Sequence, residues 1–157
     1  MNNHQANTEI SLLTGGPELV DRIEPLWWQL RQHHADLPSI WRALILDSSF
    51  NKRRSQLVAK ATQGMLVVIA SAGDEDIGYC ISSIANDVGE VESIFVADAY
   101  RRHGVGHSMM LRTMDWFSEK APKTIVVDIL DGNEAAQAFY AAYGFRPRCV
   151  RLQKTNE

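Results

Sequence analysis

The sequence predicts an α+β protein whose mixed, mostly antiparallel sheet has helices on its faces. Three stretches of strand character follow one another between residues 65 and 96 with only short turns between them, which indicates an antiparallel meander. Beyond residue 96, helical patterns alternate with strand patterns, which is typical of parallel additions to the same sheet.

The first sixty residues predict one short strand followed by helices. Glu9–Leu13 has strand character, and apolar residues then recur at helical spacing. Pro25 lies inside that helical pattern and should kink or restart the helix. Ser39, and then either Ser48 or Ser49, are candidate N-caps of two further helices.

The remainder of the chain predicts five strands and two helices. The strands are expected at Met65–Ala70, Ile77–Ile84, Val88–Val96, Thr124–Leu130 and Phe145–Leu152. The helices are expected at Val105–Glu119 and Asn133–Tyr143. Pro122 follows the first helix and Gly144 closes the second, as is usual at helix ends.

Length and charge restrict the class of protein. A chain of 157 residues is expected to form a single domain over residues 1–157, with residues 1–7 as a flexible N-terminus. The net charge of −3 gives no reason to expect nucleic acid or a membrane surface as a partner. Two cysteines and a polar N-terminus without a leader pattern favour a cytoplasmic location.

The turn after the third strand of the meander is a candidate anion site. It reads Arg101-Arg102-His103-Gly104-Val105-Gly106 and opens a helix, so main-chain N–H groups with partial positive charge should face outward. Two known phosphate loops do not fit. The dinucleotide fingerprint requires a glycine where Met109 stands, and the P-loop requires a lysine where His107 stands.

Two motifs together resemble the GNAT superfamily of N-acetyltransferases. The first is the Arg-x-x-Gly-x-Gly turn directly after a strand, which is similar to that family's pyrophosphate loop. The second runs from Asn133 to Phe145 and matches the family's Asn-x-x-Ala-x-x-x-Tyr-x-x-x-Gly-Phe pattern at every marked position. The resemblance covers residues 65–147 well, and it implies the GNAT fold with six to seven strands and helices on both faces of the sheet.

The resemblance implies a cofactor site for acetyl-CoA, used as cosubstrate without a metal. The pyrophosphate would bind the main chain of residues 101–106, with charge from Arg101 and Arg102. A bulge in Val88–Val96 would splay this strand from Thr124–Leu130, so that the pantetheine arm pairs with its open edge. The implied cofactor-binding residues are Ile94, Phe95, Val96, Arg101, Arg102, His103, Gly104, Val105, Gly106, Asn133 and Tyr140.

The resemblance also implies that the acceptor is a primary amine of a small molecule or peptide, and it implies roles in catalysis. Tyr140 would return a proton to the thiolate leaving group, and Val96 N–H would stabilise the oxyanion. Glu92 is favoured as base for the amine, with Glu90 or a water molecule as alternatives. Strand alternation would place Glu90, Glu92 and Ile94 on one face unless the bulge intervenes.

Several alternatives stay open at this level. Asn133 is a good helix cap and could do only that, and the tandem His33-His34 could contact the acceptor. His103 and His107 have a spacing that can suit a metal, but no third ligand is near them in sequence. The chain could be a non-catalytic acyl-CoA-binding module, or a nucleotide-binding oxidoreductase. A homodimer is suggested by the resemblance alone.

Overall fold

The computed structural model describes residues 9–155 and is built on one five-stranded sheet in the order β1-β2-β3-β4-β5. The strands are β1 Ile10–Gly15, β2 Gly64–Ala72, β3 Glu75–Ala85, β4 Val88–Val96 and β5 Thr124–Val126. Strands β1 to β4 pair antiparallel, whereas β4 and β5 pair parallel. The expected mixed sheet is confirmed, but the expectation of six to seven strands is wrong.

Five α-helices surround this sheet in the described part of the chain. They are α1 Glu24–Ala35, α2 Arg42–Leu46, α3 Phe50–Lys60, α4 Val105–Lys120 and α5 Glu134–Ala141. A 3₁₀ helix over Pro17–Ile23 precedes α1, and Pro25 lies in the first turn of α1, where a missing N–H breaks no helical hydrogen bond. Pro25 therefore restarts the helix. Between residues 9 and 155, no helix combines the length and apolar character that spanning a membrane requires.

The helices cover both faces of the sheet and create two cores. Residues of α1 and α3 pack on one face, and the core between them and the sheet includes Leu30, Phe50, Leu57, Val67, Tyr79 and Phe95. Residues of α4 and α5 pack on the other, and the core between them and the sheet includes Val68, Cys80, Val91, Met109, Phe117 and Tyr140. Because both faces are covered, β2 and β3 are buried almost along their whole length.

The predicted last strand, Phe145–Leu152, is absent, and β5 ends four residues earlier than predicted. The alternating apolar residues of the C-terminal segment have strand character, yet Val150 is 86% and Leu152 90% exposed. A strand needs a neighbour to pair with, and the outer neighbour would be β5, which pairs with β4 over only three residues. Pro147 also removes one donor from such a ladder.

The turn between β3 and β4 fixes the register of the two strands that lead to the candidate site. Asn86 and Asp87 have φ values of 51° and 60°, the left-handed pair that a two-residue hairpin turn requires. The first pair beyond this turn is Ala85 with Val88, so the hairpin is as tight as its sequence predicts.

A bulge in β4 interrupts that register. Ser82 pairs with Val91 and Ile81 pairs with Ser93, so Glu92 is an extra residue without a partner on β3. The bulge places Glu92 and Ser93 on the face covered by α3, where they bond Arg53 and Tyr79 respectively.

Alternation resumes beyond the bulge, but with its phase changed. Glu90 also contacts the α3 face, through Lys60. Ile94 packs in the core on the other face of the sheet, whereas Phe95 packs in the core beneath α1 and α3. Ile94 is therefore not on the face of Glu90 and Glu92. The bulge intervenes, so simple strand alternation does not hold across it.

Strands β4 and β5 separate immediately before the bulge. Their parallel pairing runs only from Val88 with Thr124 to Glu90 with Val126. From Val91 onward, β4 pairs with β3 alone, and its other edge is open. The expected splay between two neighbouring parallel strands is thus present, and it opens a cleft in the sheet.

Candidate functional site

The cleft between the separated strands is lined from four parts of the chain. Helix α1 and the bulged part of β4 form one portion, and the segment after β5 together with α5 forms the other. The lining residues are Leu30, His34, Val91, Glu92, Ser93, Ile94, Val127, Asp128, Ile129, Leu130, Asn133, Ala136 and Tyr140. Polar groups able to hold a ligand therefore converge on a partly apolar cleft, as in small-molecule sites.

The open edge of β4 presents main-chain groups of Val96. The neighbouring residue Ala97 donates its N–H to the carbonyl of Ile77, with the two atoms 2.8 Å apart. Because paired residues in an antiparallel ladder alternate between bonded and non-bonded, the N–H and C=O of Val96 point away from β3. Arg101 Nε donates to the Val96 carbonyl at 2.8 Å, which leaves the Val96 N–H facing the open side.

The turn after β4 presents a run of free main-chain amides. Gly104 begins α4 with φ +77°, a left-handed conformation that suits glycine. From Arg102 to His107, no main-chain N–H has an acceptor among residues 9–155, and a Cβ placed on Gly104 would meet no atom within 4 Å. These amides are neither occluded nor capped by a carboxylate, which is the condition that a phosphate site at a helix N-terminus requires.

The two arginines of this turn have different surroundings. Arg101 is half-buried, bonds Val96 and pairs with Asp98 at 3.1 Å, and its guanidinium lies over the ring of Phe95. Arg102 is exposed and forms no ion pair with any described residue. Arg101 thus stabilises the turn, whereas Arg102 is the guanidinium available to an anion.

Tyr140 projects from α5 into the cleft and is 5% exposed. Its ring packs edge-on against Phe139 and Phe145, which fixes its orientation. Burial, with smaller contributions from Cys80 and Tyr79, raises the pKa of Tyr140 well above its ordinary value of 10.0. The phenol is therefore protonated at neutral pH and can donate a proton to a basic group in the cleft.

The carboxylate of Glu92 forms ion pairs with two cations of α3. Its side chain is 2% exposed; Arg53 Nη2 approaches one carboxylate oxygen at 3.1 Å, while Lys60 Nζ at 2.8 Å and Ser83 Oγ at 2.6 Å approach the other. Burial alone raises the pKa of Glu92, but hydrogen bonds from Lys60 and Ser83 and the charges of Arg53 and Lys60 outweigh it, so the pKa is lowered from 4.5. The carboxylate is ionised at neutral pH and is a weakened base.

These contacts predict how Glu92→Gln changes stability. Since the folded pKa lies below the ordinary value of 4.5, the carboxylate stabilises the fold above that pH, and the contribution is lost as pH falls through the folded pKa. We expect Glu92→Gln to lower the free energy of unfolding at pH 7 by about 1–2 kcal/mol, because Arg53 and Lys60 are partly exposed and water replaces some of the lost interaction.

Urea unfolding at pH 7 and at pH 4 checks this expectation. The difference between the wild-type protein and Glu92→Gln should shrink at the lower pH. Glu90→Gln is the matched control, since Glu90 also contacts Lys60 but its side chain is more exposed, and its effect should be smaller. An equal difference at both pH values would rule out the ion-pair explanation.

Asn133 caps α5 and also lines the cleft. Its side-chain oxygen accepts the N–H of Ala136 at 3.2 Å, as the sequence predicts for an N-cap. The cap uses the side-chain oxygen, so among residues 9–155 the amide nitrogen of Asn133 has no hydrogen-bond partner and is available to a ligand in the cleft.

Cleft residues outside the predicted site include His34 and the segment Val127–Leu130, which contains Asp128. The sequence offered two adjacent histidines, His33 and His34, without distinguishing them. The packing of α1 against β4 places His34, and not His33, at the cleft. Asp128 lies in a stretch that was predicted as buried strand. Because β5 ends at Val126, Asp128 lies beyond the ladder and is exposed at the cleft.

Within residues 9–155, neither His103 nor His107 belongs to a group of side chains that could hold a metal. His107 Nδ1 lies 2.7 Å from the hydroxyl of Tyr143, with the two rings stacked. Across residues 9–155, His, Cys, Asp and Glu side chains form no group of three that could hold a metal ion.

Comparison with solved structures identifies this fold. A candidate acetyl transferase from Pyrococcus furiosus superposes with a TM-score of 0.71 at 18% identity, covering 94% of this chain and 100% of that one. The aminoglycoside N-acetyltransferase AAC(6')-Iy in complex with CoA superposes with a TM-score of 0.66 at 19% identity, covering 96% of this chain and 97% of that one.

A third structure, from an uncultured soil metagenomic sample, is the aminoglycoside acetyltransferase meta-AAC0020 in complex with sisomicin. It superposes with a TM-score of 0.67 at 13% identity, covering 94% of this chain and 97% of that one. At these identities the likeness shows the fold alone. Comparison with curated protein sequences gave no match.

The family model for the acetyltransferase (GNAT) family matches residues 26–145. The match includes the bulged strand β4, the turn at Gly104 and the whole of α5, and it spans most of the chain. The chain therefore belongs to the GNAT family of acetyltransferases.

Proposed function

We propose that this protein is an N-acetyltransferase that moves an acetyl group from acetyl-CoA to a primary amine, by direct transfer in a ternary complex. The proposal rests on one observation: the open edge of β4 and Tyr140 line one cleft, and the helix start with the free amides lies next to it, since a Cβ on Gly106 would lie 3.7 Å from Val96 and 3.6 Å from Phe139. Two structural neighbours are aminoglycoside acetyltransferases, and one of them is in complex with CoA, which supports both the donor and the amine acceptor.

Acetyl-CoA would bind along the turn and the open strand edge. The amides of residues 102–107 would hold the pyrophosphate, and Arg102 would contribute charge. Ile94 and Val96, which alternate with the β3-bonded Phe95, would pair with the amides of the pantetheine arm as an added strand does. Asn133 would contact this arm while it caps α5.

Acetyl transfer needs few protein groups once the reactants are held together. The amine nitrogen bonds to the carbonyl carbon as the carbon–sulfur bond breaks, and Val96 N–H would stabilise charge on the carbonyl oxygen. Tyr140 gives its proton to the sulfur. A protonated amine releases two protons overall, of which one returns to Tyr140 through water and the other reaches solvent, so that the protein is restored.

For the amine proton, the contacts of Glu92 favour a water molecule as the direct acceptor. A carboxylate already bound by Arg53, Lys60 and Ser83 is a weaker base than a free one, and its main effect is to hold the bulge. Glu92 would then be a positioning residue. A loss of turnover above about 100-fold in folded Glu92→Gln would return the role of base to Glu92.

A thiol-release screen tests the proposed function. The purified full chain would be given acetyl-CoA with sisomicin, neamine, spermidine, 4-methoxyaniline and amino-acid amides, and free thiol and acetylated product would be measured. We expect amine-dependent thiol release matched by acetylated amine. Tight binding of acetyl-CoA without amine-dependent release would favour a non-catalytic acyl-CoA-binding module, and binding of NAD instead of acetyl-CoA would favour an oxidoreductase.

A further inference from the structure

One imidazole in the cleft has no partner among the described residues. His34 lies in the last turn of α1 and lines the cleft together with Leu30, one turn earlier on the same helix. Its ring nitrogens have no hydrogen-bond partner between residues 9 and 155. The neighbouring ring of His33 does not line the cleft. A half-buried imidazole that lines a cleft needs a partner from a ligand or from water.

The charge state of His34 suits a protonated amine. Burial, with a smaller contribution from the charge of His33, lowers the pKa of His34 to about 4, so the ring is neutral at neutral pH. A neutral imidazole offers one nitrogen as a hydrogen-bond acceptor and does not repel a cation. The other titratable groups facing the cleft are Glu92, Asp128 and Tyr140.

Asp128 is the carboxylate of the cleft that remains uncompensated. Glu92 is neutralised by two cations of α3, and Tyr140 is uncharged. Asp128 is exposed and forms no ion pair within the part of the chain that the structure describes. His34 and Asp128 come from different elements, α1 and the segment after β5, so that a ligand in the cleft can contact both.

We propose that His34 and Asp128 form the acceptor-binding side of the cleft, with the neutral imidazole accepting a hydrogen bond from the amine and the carboxylate attracting its positive charge. The acceptor class is then a small primary amine that enters as an ammonium ion. This inference rests on the proposed acetyl transfer and adds the residues that select the acceptor. Both are binding and positioning residues, and neither takes part in the bond changes at the thioester.

Steady-state kinetics with the best cationic amine of the screen test the inference. We expect His34→Leu to raise KM for the amine about tenfold with little change in kcat, since one hydrogen bond from a charged donor is lost. His34→Gln keeps a neutral acceptor atom and should recover part of the loss. Asp128→Asn should raise KM about fivefold for the cationic amine but leave KM for 4-methoxyaniline, which is uncharged at neutral pH, unchanged.

Matched controls separate this role from a structural one. His33→Leu and Asp131→Asn make the same chemical changes outside the cleft lining, and both should leave KM unchanged. Calorimetry should give the same acetyl-CoA affinity for all variants. Unchanged KM in both His34→Leu and Asp128→Asn, with normal wild-type turnover, overturns this inference alone. Absence of amine-dependent turnover in the wild-type protein overturns the proposed function and this inference with it.

Discussion

Gly104→Asp is expected to weaken acetyl-CoA binding by at least about 100-fold, because it places a negative charge among the amides that would hold the pyrophosphate. Two like charges about 4 Å apart at a protein surface repel by roughly 4 kcal/mol before salt screening, and about 2.7 kcal/mol already corresponds to 100-fold. A Cβ at this position meets no atom within 4 Å, so the side chain has room and the fold is expected to persist.

Gly104→Asn is the matched control for this change. Asparagine has the same shape as aspartate, and both residues tolerate the left-handed conformation of Gly104 with its φ of +77°. The two variants therefore share backbone strain and volume and differ in charge. Titration calorimetry should show a loss of less than about tenfold for Gly104→Asn, and the Asp effect should decrease with added salt. Equal losses for both variants would mean that bulk, and not charge, decides, and normal affinity in both would remove the phosphate site.

Turns and helix starts could be predicted from the sequence because residues within a few positions of each other determine them. The pair Asn86-Asp87 dictates a tight turn, and that turn fixes the meander of β3 and β4. Gly104 and Asn133 were predicted at the starts of two helices from chemistry that acts within one turn, and both begin helices there.

Features that depend on distant partners could not be predicted in this way. The role of Glu92 depends on Arg53, which is 39 residues away in sequence, and on the strand register that makes Glu92 the extra residue of the bulge. Strand character in Phe145–Leu152 likewise says nothing about whether a neighbouring strand is long enough to pair with. The motif resemblance supplied the bulge and the splay, whereas the cations that neutralise Glu92 needed the structure.

Tyr140→Phe is expected to lower kcat by roughly 10²–10⁴ while acetyl-CoA binding is kept, because a general acid contributes about that much to a proton transfer. Removing the hydroxyl leaves the ring packed against Phe139 and Phe145, so the shape of the cleft should not change. Since burial raises the pKa of Tyr140 far above neutrality, the wild-type phenol is protonated throughout the working range. The loss should therefore be nearly independent of pH between 6 and 9.

Tyr143→Phe serves as the matched control for Tyr140→Phe. Tyr143 lies on the same α5 motif, one turn later, but its hydroxyl contacts His107 outside the cleft, so that its removal should change kcat by less than about threefold. Single-turnover measurements of thiol release, made with saturating acetyl-CoA and the best amine, isolate the chemical step from product release. If Tyr140→Phe and Tyr143→Phe turn over alike, then the proton reaches the sulfur from water and Tyr140 only shapes the cleft. A loss confined to Tyr140→Phe supports proton transfer from this phenol to the leaving group, because both variants lose one phenol hydroxyl and only Tyr140 lines the cleft.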